Sequence, residues 1–318
     1  MVIRKSGASL IGDNPANTII DANSSNTPNG NGVGIYVDGM SSLVDATEKL
    51  KSPGTTRLTG ISDVVVQGFT VANAPFEGIL ATNAANVTIV ENHVTSKNRN
   101  LVVPTTPTGC PFIPAWETSE GFDCGEGIHL AAVHNSTVAN NIVDHNAGGI
   151  LLTDETGPNH DNLITGNEVS ENGYDCGVTL ASHRPPTNLL FGPSVNNGVP
   201  SPILAYSVFR NTVTGNDVSK NGLAVSGNGT GVGLFTSPGP PVFATMQAQT
   251  YDNVVIGNRI TANGQPGVAL HAHKAGAILT GNLVAGKAGA VARTGLGSNG
   301  AALESVYPWW PGSPGYLR

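Results

Sequence analysis

The sequence is poor in charged and aromatic residues. Charged side chains make up 12% and aromatic side chains 5% of its 318 residues, whereas glycine occurs 41 times. A helical bundle needs a solvated face rich in Lys and Glu, so this composition favours strands and turns instead. The net charge of -7 offers no basic stripe for a phosphate backbone, so we expect no nucleic-acid partner. No run of about 18 apolar residues occurs, which predicts that the chain does not span a membrane.

Cysteine is also scarce. Cys110, Cys124 and Cys176 are too few for a disulfide framework, and their spacing matches no zinc ribbon. Cys110 and Cys124 either form one bridge or are free buried thiols, and the sequence leaves both possibilities open. Residues 1–7 contain no apolar segment of a signal peptide, although the repeat described below is already running at residues 10–12. We therefore expect a secreted or periplasmic protein whose signal peptide is absent from this sequence.

A short repeat runs along most of the chain. A unit close to Asn-x-Val/Ile-x-x-Asn-x-Val-x-x-Asn-Gly has copies that begin at Asn86, Asn135, Asn162, Asn211 and Asn253. A second short strand, introduced by glycine, accompanies these copies at Gly78-Ile79, Gly127-Ile128, Gly149-Ile150, Gly177-Val178, Gly231-Val232 and Gly267-Val268. Such short strands have two open edges and are unstable alone, whereas stacked parallel copies pair their edges and enclose a Val/Ile/Leu interior. The repeat predicts an all-β fold, a right-handed parallel β-helix of about seven to nine coils.

The repeated asparagines are interpreted as structural. Asparagine tolerates left-handed backbone at corners, and its side-chain amide can form hydrogen-bonded ladders from coil to coil. Repeats such as Asn-Thr-Val-Thr-Gly-Asn-Asp-Val-Ser-Lys-Asn-Gly at 211–222 resemble those of the pectate-lyase-like superfamily. That superfamily includes pectate lyases, mannuronan C5-epimerases and NosD-like periplasmic proteins. The resemblance covers about residues 60–290 and implies the fold, while the superfamily hosts lyases, hydrolases, epimerases and non-catalytic proteins.

No catalytic set of these families carries over to this chain. Mannuronan epimerases carry an Asp-Pro-His motif on the glycine-led strand. The nearest segment, Gly157-Pro158-Asn159-His160-Asp161, does not match it. Pectate lyases use a calcium-binding acidic cluster with an arginine base, and the sequence around Arg184 preserves no such cluster. Site residues must therefore be predicted from the register of the repeat.

One domain is predicted over residues 1–300, with insertions at 99–126, 184–207 and 237–250. Residues 301–318 lack the repeat and are predicted to be a cap on the last coil or a disordered end. All three insertions adjoin the glycine-led strand. We therefore expect the outer face of this strand to be the floor of a cleft.

Alignment on the leading glycines predicts three outward columns, because side chains alternate along a strand. The first holds Leu80, His129, Leu151, Thr179, Gly233 and Ala269. The second holds Thr82, Ala131, Thr153, Ala181, Phe235 and His271. The third holds Ala84, Val133, Glu155, His183, Ser237 and His273.

These columns predict an acid–base site for a uronate-containing polysaccharide. His183 is the predicted base, Glu155 orients it, and Arg184 and Lys274 neutralise the substrate carboxylate, with His129 on the same face. Such a set suits removal of the proton α to a carboxyl group, followed by β-elimination or C5-epimerisation. The predicted substrate-binding residues are Trp116, Thr179, Phe235 and Tyr251.

Two other functions use residues of the same face. His271 and His273 share one side of a strand, and with His183 they predict a site for zinc or copper, with calcium a further candidate metal. A non-catalytic β-helix that binds glycan or copper is thus an alternative. Glycoside hydrolysis is another, and the acids available for it are Asp154, Glu155, Glu126 and Asp175. Strict alternation turns Asp154 inward, unless it lies at a corner or is held by hydrogen bonds.

Overall fold

The structure is a computed structural model. It describes the residues 1–23, 32–40, 60–96, 125–154, 157–182, 195–196, 199–200, 207–224, 229–236, 249–264, 267–271, 278–280, 283–285, 291–293, 295–296 and 302–303.

Three parallel sheets run the length of the described chain. Sheet A has nine strands: Val2–Ile3, Ile35–Asp38, Ile79–Thr82, Glu126–Ala131, Gly148–Thr153, Val178–Ser182, Val232–Thr236, Val268–His271 and Val291–Arg293. Sheet B has eight: Ser9–Ile11, Val65–Gln67, Thr88–Val90, Thr137–Ala139, Leu163–Thr165, Thr212–Thr214, Val254–Ile256 and Ile278–Thr280. Sheet C has eight: Ile19–Asp21, Thr70–Ala72, His93–Thr95, Ile142–Asp144, Glu168–Ser170, Asp217–Ser219, Arg259–Thr261 and Leu283–Ala285.

Each coil takes one strand from sheet B, then sheet C, then sheet A, and eight coils follow one another in the described residues. This architecture confirms the predicted right-handed parallel β-helix. Short strands at one corner form sheet D: Asn159–His160, Ser207–Phe209 and Gln249–Tyr251. The remaining pairs are parallel Ile61–Ser62 with Ala84–Ala85, antiparallel Val195–Asn196 with Val199–Pro200, and antiparallel Gly295–Leu296 with Ala302–Leu303. The strands Glu126–Ala131, Ser207–Phe209 and Gln249–Tyr251 begin within the last residues of the three predicted insertions.

The predicted register of the glycine-led strands is confirmed for the first two outward columns. His129 pairs with Leu80 on one side and with Leu151 on the other. Phe235 pairs with Ala181 and with His271. The third predicted column is wrong where the structure describes it: Ala84 and Val133 lie in the hydrophobic core and do not face outward, because the left-handed residues Asn83 and Ala132 just before them end the alternation of the strand. Glu155, His183, Ser237 and His273 of this column lie outside the described residues.

The core lies between the three sheets and consists of aliphatic side chains stacked coil on coil. In sheet A, the residue after the leading glycine and the residue two further on point inward and are buried. The leading glycines leave room for this packing: a Cβ at Gly127 would overlap the side chain of Val143, and one at Gly149 would overlap Val169. Glycine is therefore needed at these positions because sheets A and C approach closely there.

Buried asparagines form ladders at the corners, as the sequence predicted. At the corner between sheets B and C, the backbone N–H and the side-chain amide of Asn141 both donate to Asn167 Oδ1, at 3.0 and 2.9 Å. Asn167 donates to Asn216 in the same way. The left-handed conformation belongs to the preceding residue, such as Asn140 with φ 54°. Two neighbouring residues thus share the roles that the sequence analysis assigned to asparagine alone.

Cys176 is a free, buried thiol, and burial raises its pKa. Cys110 and Cys124 lie outside the described residues, as does the segment 304–318. Within the described part of the chain, no helix has the length and apolar character needed to cross a membrane.

Candidate functional site

The outer face of sheet A carries a set of buried polar side chains. The first outward column, from Tyr36 through His129 to Thr179, is at most 6% exposed, and His129 is fully buried. The sequence correctly predicted that these side chains point outward. It also predicted that they form the floor of a cleft, whereas they are buried. Alternation along a strand fixes the side of the sheet on which a residue lies, whereas burial depends on what lies over that side.

His129 lies between a carboxylate and a hydroxyl. Its Nδ1 lies 3.2 Å from Glu77 Oε1, and its Nε2 lies 2.8 Å from Thr153 Oγ1. An ionised carboxylate only accepts hydrogen bonds, so with Glu77 ionised Nδ1–H would donate to it. In the neutral ring the basic nitrogen is then Nε2, which accepts the Thr153 hydroxyl. Glu77 and Thr153 are also fully buried. This arrangement can hold one imidazole tautomer and stabilise a proton on the ring.

Glu77 was missed by the sequence analysis. It directly precedes the leading glycine Gly78, and Glu126 precedes Gly127 in the same way. An acidic residue at this position in two consecutive coils was a signal that could have revealed it.

Glu126 continues the acidic column in the next coil. Gly78 N donates to Glu126 O at 3.0 Å, so the two glutamates lie on adjacent coils, about 4.8 Å apart along the solenoid. The Glu126 side chain is buried, and a Cβ at Gly148 would lie 2.9 Å from its Oε1. The glycine at position 148 therefore leaves space for this carboxylate.

A second polar group lies on the same face, towards the first coil. Tyr36 and Thr82 hydroxyls are 3.1 Å apart, and Arg4 Nε donates to Asp38 Oδ2 at 2.8 Å. Burial, together with the nearby Asp38 carboxylate, raises the pKa of the Tyr36 hydroxyl. Tyr36 therefore stays protonated at neutral pH and can donate a hydrogen bond.

One residue beyond the second outward column, a hydrogen bond joins two further coils. Ser182 Oγ donates to Asp154 Oδ2 at 2.6 Å, and both side chains are buried. Asp154 is thus held by a hydrogen bond, one of the two arrangements that the sequence analysis left open.

The predicted substrate-binding residues fall on two different sheets. Thr179 is buried on sheet A, and Phe235 is partly exposed on the same sheet. Tyr251 lies instead on sheet D, in register with Phe209. It therefore belongs to the neighbouring corner. The predicted residues Trp116, Glu155, His183, Arg184, His273 and Lys274 lie outside the described residues.

The described residues contain no group of three or more His, Cys, Asp or Glu side chains arranged to hold a metal ion. Of the predicted metal ligands, His271 lies in the described strand Val268–His271, beside Phe235, whereas His183 and His273 lie outside the described residues. The metal site remains a prediction.

Two further titratable clusters lie on other surfaces. Arg210 holds Asp161 through two hydrogen bonds of 2.8 and 2.6 Å, which lowers the pKa of Asp161 to about 2. Burial alone would raise the pKa of Asp144, but hydrogen bonds from His93 and Thr95 outweigh it and lower the pKa to about 2. These carboxylates are ionised at neutral pH and serve as ion-pair partners.

A column of stacked rings borders sheet D. The rings of His134 and His160 are 4.9 Å apart and nearly parallel, and Phe209 stacks on His160 at 4.8 Å. These rings cover each other's faces, which leaves few faces open to a ligand.

The fold and the repeated corners define the protein as a parallel β-helix. The family described as "Right handed beta helix region" matches residues 6–232, and the chain belongs to this family. No curated protein matches the chain in sequence.

Several solved structures resemble the chain. The A-module of the mannuronan C-5 epimerase AlgE4 of Azotobacter vinelandii matches with 13% identity and a TM-score of 0.43, over 97% of this chain and 84% of that module. A tailspike of E. coli bacteriophage HK620, in complex with a pentasaccharide, matches with 13% identity and a TM-score of 0.34, over 70% of this chain and 37% of its own. XylC in complex with xylose matches with 13% identity and a TM-score of 0.32, over 88% of this chain and 48% of its own. The chain thus spans less than half of the tailspike and of XylC, and at this identity the likeness concerns the fold alone.

Proposed function

We propose that the protein acts on a uronate-containing polysaccharide by β-elimination or C5-epimerisation, on the outer face of sheet A. The observation that carries this proposal is the contact of His129 with Glu77 and Thr153. A histidine held by a carboxylate on one nitrogen can give or take a proton at the other near neutral pH.

Both reactions need two proton-transfer groups. A base removes the proton from C5, next to the carboxyl group. In elimination, the C4–O bond then breaks and its oxygen takes up a proton. In epimerisation, a proton returns to C5 from the opposite face. His183, oriented by Glu155, remains our predicted base, and His129 is the second group.

The substrate carboxylate must be neutralised while charge builds up on it. The described part of this face has one arginine, Arg4, which is paired with Asp38, and it also carries Glu77 and Glu126. We assign neutralisation to Arg184 and Lys274, as the sequence predicted. A polymer that follows the solenoid axis would meet equivalent positions once per coil, about every 4.8 Å. Because His129 is fully buried, this face must open before a sugar can reach it.

A secreted or periplasmic location would bring such a protein to its substrate, and it stays part of the proposal. A metal bound by His271, His273 and His183 also stays a proposal.

Glycoside hydrolysis is a second candidate, favoured by one observation. Glu77 and Glu126 occupy the same position in consecutive coils, and both are buried. Paired carboxylates at short separation are the groups that cleave glycosidic bonds by acid and nucleophile. This pair replaces the set of acids that the sequence suggested, of which it keeps only Glu126.

The test is incubation with polygalacturonate, alginate and hyaluronan. A lyase creates a conjugated double bond that absorbs in the ultraviolet, and an epimerase exchanges the C5 proton with deuterium from D2O. A hydrolase releases reducing ends without either signal. We expect His129→Gln to lose the lyase or epimerase signal, and Arg184→Ala to weaken it. His134→Gln is the matched control, because His134 lies in the ring stack outside the site.

Two results would overturn the proposal. One is the same activity in His129→Gln as in the unchanged protein. The other is no product from any acidic glycan, together with binding of glycan or copper, which would identify a non-catalytic binding protein.

A further inference from the structure

Three consecutive coils contribute one side chain each to the contact around His129. Glu77 directly precedes the leading glycine of its coil, His129 lies in the first outward column of the next coil, and Thr153 lies in the second outward column of the coil after that. Glu77 Oε1 is 3.2 Å from His129 Nδ1, and His129 Nε2 is 2.8 Å from Thr153 Oγ1. The stacking of the coils therefore fixes the order carboxylate, imidazole, hydroxyl on this face.

This order is the one that makes a hydroxyl group nucleophilic. A base within hydrogen-bond reach takes the hydroxyl proton as the oxygen attacks, and a third group holds the base in the required tautomer. With Glu77 ionised, His129 Nδ1–H donates to it, and Nε2 is then the nitrogen that accepts the Thr153 hydroxyl. Such a set of residues is recognised by its geometry and recurs on unrelated folds. Thr153 is thus placed as a nucleophile as well as a support for the ring.

A second threonine of the same column shows what is specific to Thr153. Thr82 lies two coils before Thr153, and it too contacts a first-column residue of the preceding coil. Its partner is the Tyr36 hydroxyl, 3.1 Å away. Burial raises the pKa of that hydroxyl, so Tyr36 stays protonated at neutral pH and donates a hydrogen bond. Tyr36 therefore gives Thr82 no base, whereas His129 gives one to Thr153.

The neighbours of Thr153 indicate the kind of group that it can accept. Ala131 and Ala181 flank it in the same outward column, and both are buried. Neither places a side chain longer than a methyl group beside the hydroxyl. The Glu77 carboxylate lies on the other side of the imidazole and, when ionised, repels an anionic acyl group. A short, uncharged acyl group such as acetyl suits these surroundings.

We propose that Thr153 is the nucleophile of a site that hydrolyses short-chain carboxylic esters. Thr153 Oγ1 forms a bond to the carbonyl carbon while its proton passes to His129 Nε2. The bond from that carbon to the alcohol oxygen then breaks, and this oxygen takes the proton from His129. Water attacks the acyl-threonine next and gives a proton to His129, and the acid leaves as the proton returns to Thr153 Oγ1.

This activity goes beyond the one proposed for uronates and does not depend on it. The two share His129, but ester hydrolysis needs neither a uronate nor the predicted cations Arg184 and Lys274. Thr153 is fully buried, so this face must open for an ester as it must for a sugar.

The experiment follows the hydrolysis of p-nitrophenyl acetate by the full chain and locates acetyl groups by mass spectrometry after an acid quench. We expect release of p-nitrophenolate, an acetyl group on Thr153 and none on Thr82. His129→Gln should slow the release about 100-fold, because the general base is lost.

Three further variants separate the nucleophile from its surroundings. Thr153→Val keeps the shape of the side chain but removes the hydroxyl, so the acetyl group at this position and the turnover should both be lost. Thr153→Ser keeps the hydroxyl and should keep both. Thr165→Val is the matched control, because it removes an exposed hydroxyl on sheet B, and it should change neither.

Three results would overturn the inference. One is no acetyl group on Thr153 of the unchanged protein. A second is acetylation confined to lysines and the N-terminus, which would show a purely chemical reaction. A third is equal turnover in the unchanged protein and in Thr153→Val with native circular dichroism. A lyase or epimerase signal without ester hydrolysis would reject this inference alone, and ester hydrolysis without a signal from any acidic glycan would reject the uronate proposal alone.

Discussion

Sheets A and B share coils and core, yet their outer faces differ in kind. On sheet A the outward residues around His129 are buried, and His129 itself is hydrogen-bonded to Glu77 and Thr153. On sheet B residues such as Leu163 and Ile256 are 37% and 38% exposed, and none is charged. Stacking of the repeat constrains only the inward residues, so the outward residues can differ in type and burial from one sheet to another.

The largest effect is expected from Glu77→Gln on sheet A. This change keeps the volume but removes the charge that stabilises a protonated His129, so glycan turnover should fall about 100-fold. A native circular dichroism spectrum of the variant would separate this loss from misfolding. Unchanged turnover would break the proposed contrast between the two faces.

A large loss of stability is expected from Asn167→Ala, at the corner between sheets B and C. The change removes the acceptor for two N–H groups of Asn141 and a donor to Val138 O. Two buried donors without an acceptor cost about 4 kcal/mol of unfolding free energy, measured by urea denaturation. Asn140→Ala is the control: Asn140 is exposed and left-handed, so the cost should be about 1 kcal/mol. Equal losses would contradict the structural role of the ladder.

A smaller effect is expected from acid. The pKa of Asp144 and that of Asp161 are both lowered to about 2 from an ordinary 3.8. A carboxyl group with a lowered pKa in the folded state stabilises the fold above its ordinary pKa, and this contribution disappears as the pH falls towards 2. The free energy of unfolding should therefore fall between about pH 4 and pH 2, and less steeply in Asp161→Asn. Thr165→Val on sheet B should keep the slope of the unchanged protein.

The smallest effect on stability is expected from Thr212→Lys on the outer face of sheet B. An exposed outward position contributes little to the core, so the free energy of unfolding, measured by thermal denaturation, should change by less than about 0.5 kcal/mol. Glycan turnover should also stay unchanged, because the site lies on another sheet. A loss of turnover in this variant would place part of the site on sheet B.

The fold and the register could be predicted because both depend on local, repeated signals. Glycine before the first inward residue, as before Ile128, and asparagine at the corner, as at position 141, recur at equivalent positions of successive coils. Each has one structural role in a stacked coil. The burial of His129 could not be predicted, since it depends on groups distant in sequence. Tyr251 was predicted to bind substrate in the cleft, and its position on the extra strand Gln249–Tyr251 of sheet D could not be foreseen because that strand does not show in the repeat. Glu77 was missed because an acidic residue before glycine, even in two consecutive coils, has many ordinary explanations.

The most direct test of the central claim is a crystal structure with a bound oligouronate. The account predicts sugar on the outer face of sheet A, with an oxygen or C5 of one uronate within reach of His129 Nε2 and its carboxylate near Arg184 or Lys274. Sugar bound only on sheet B, sheet C or the ring stack of sheet D would contradict it.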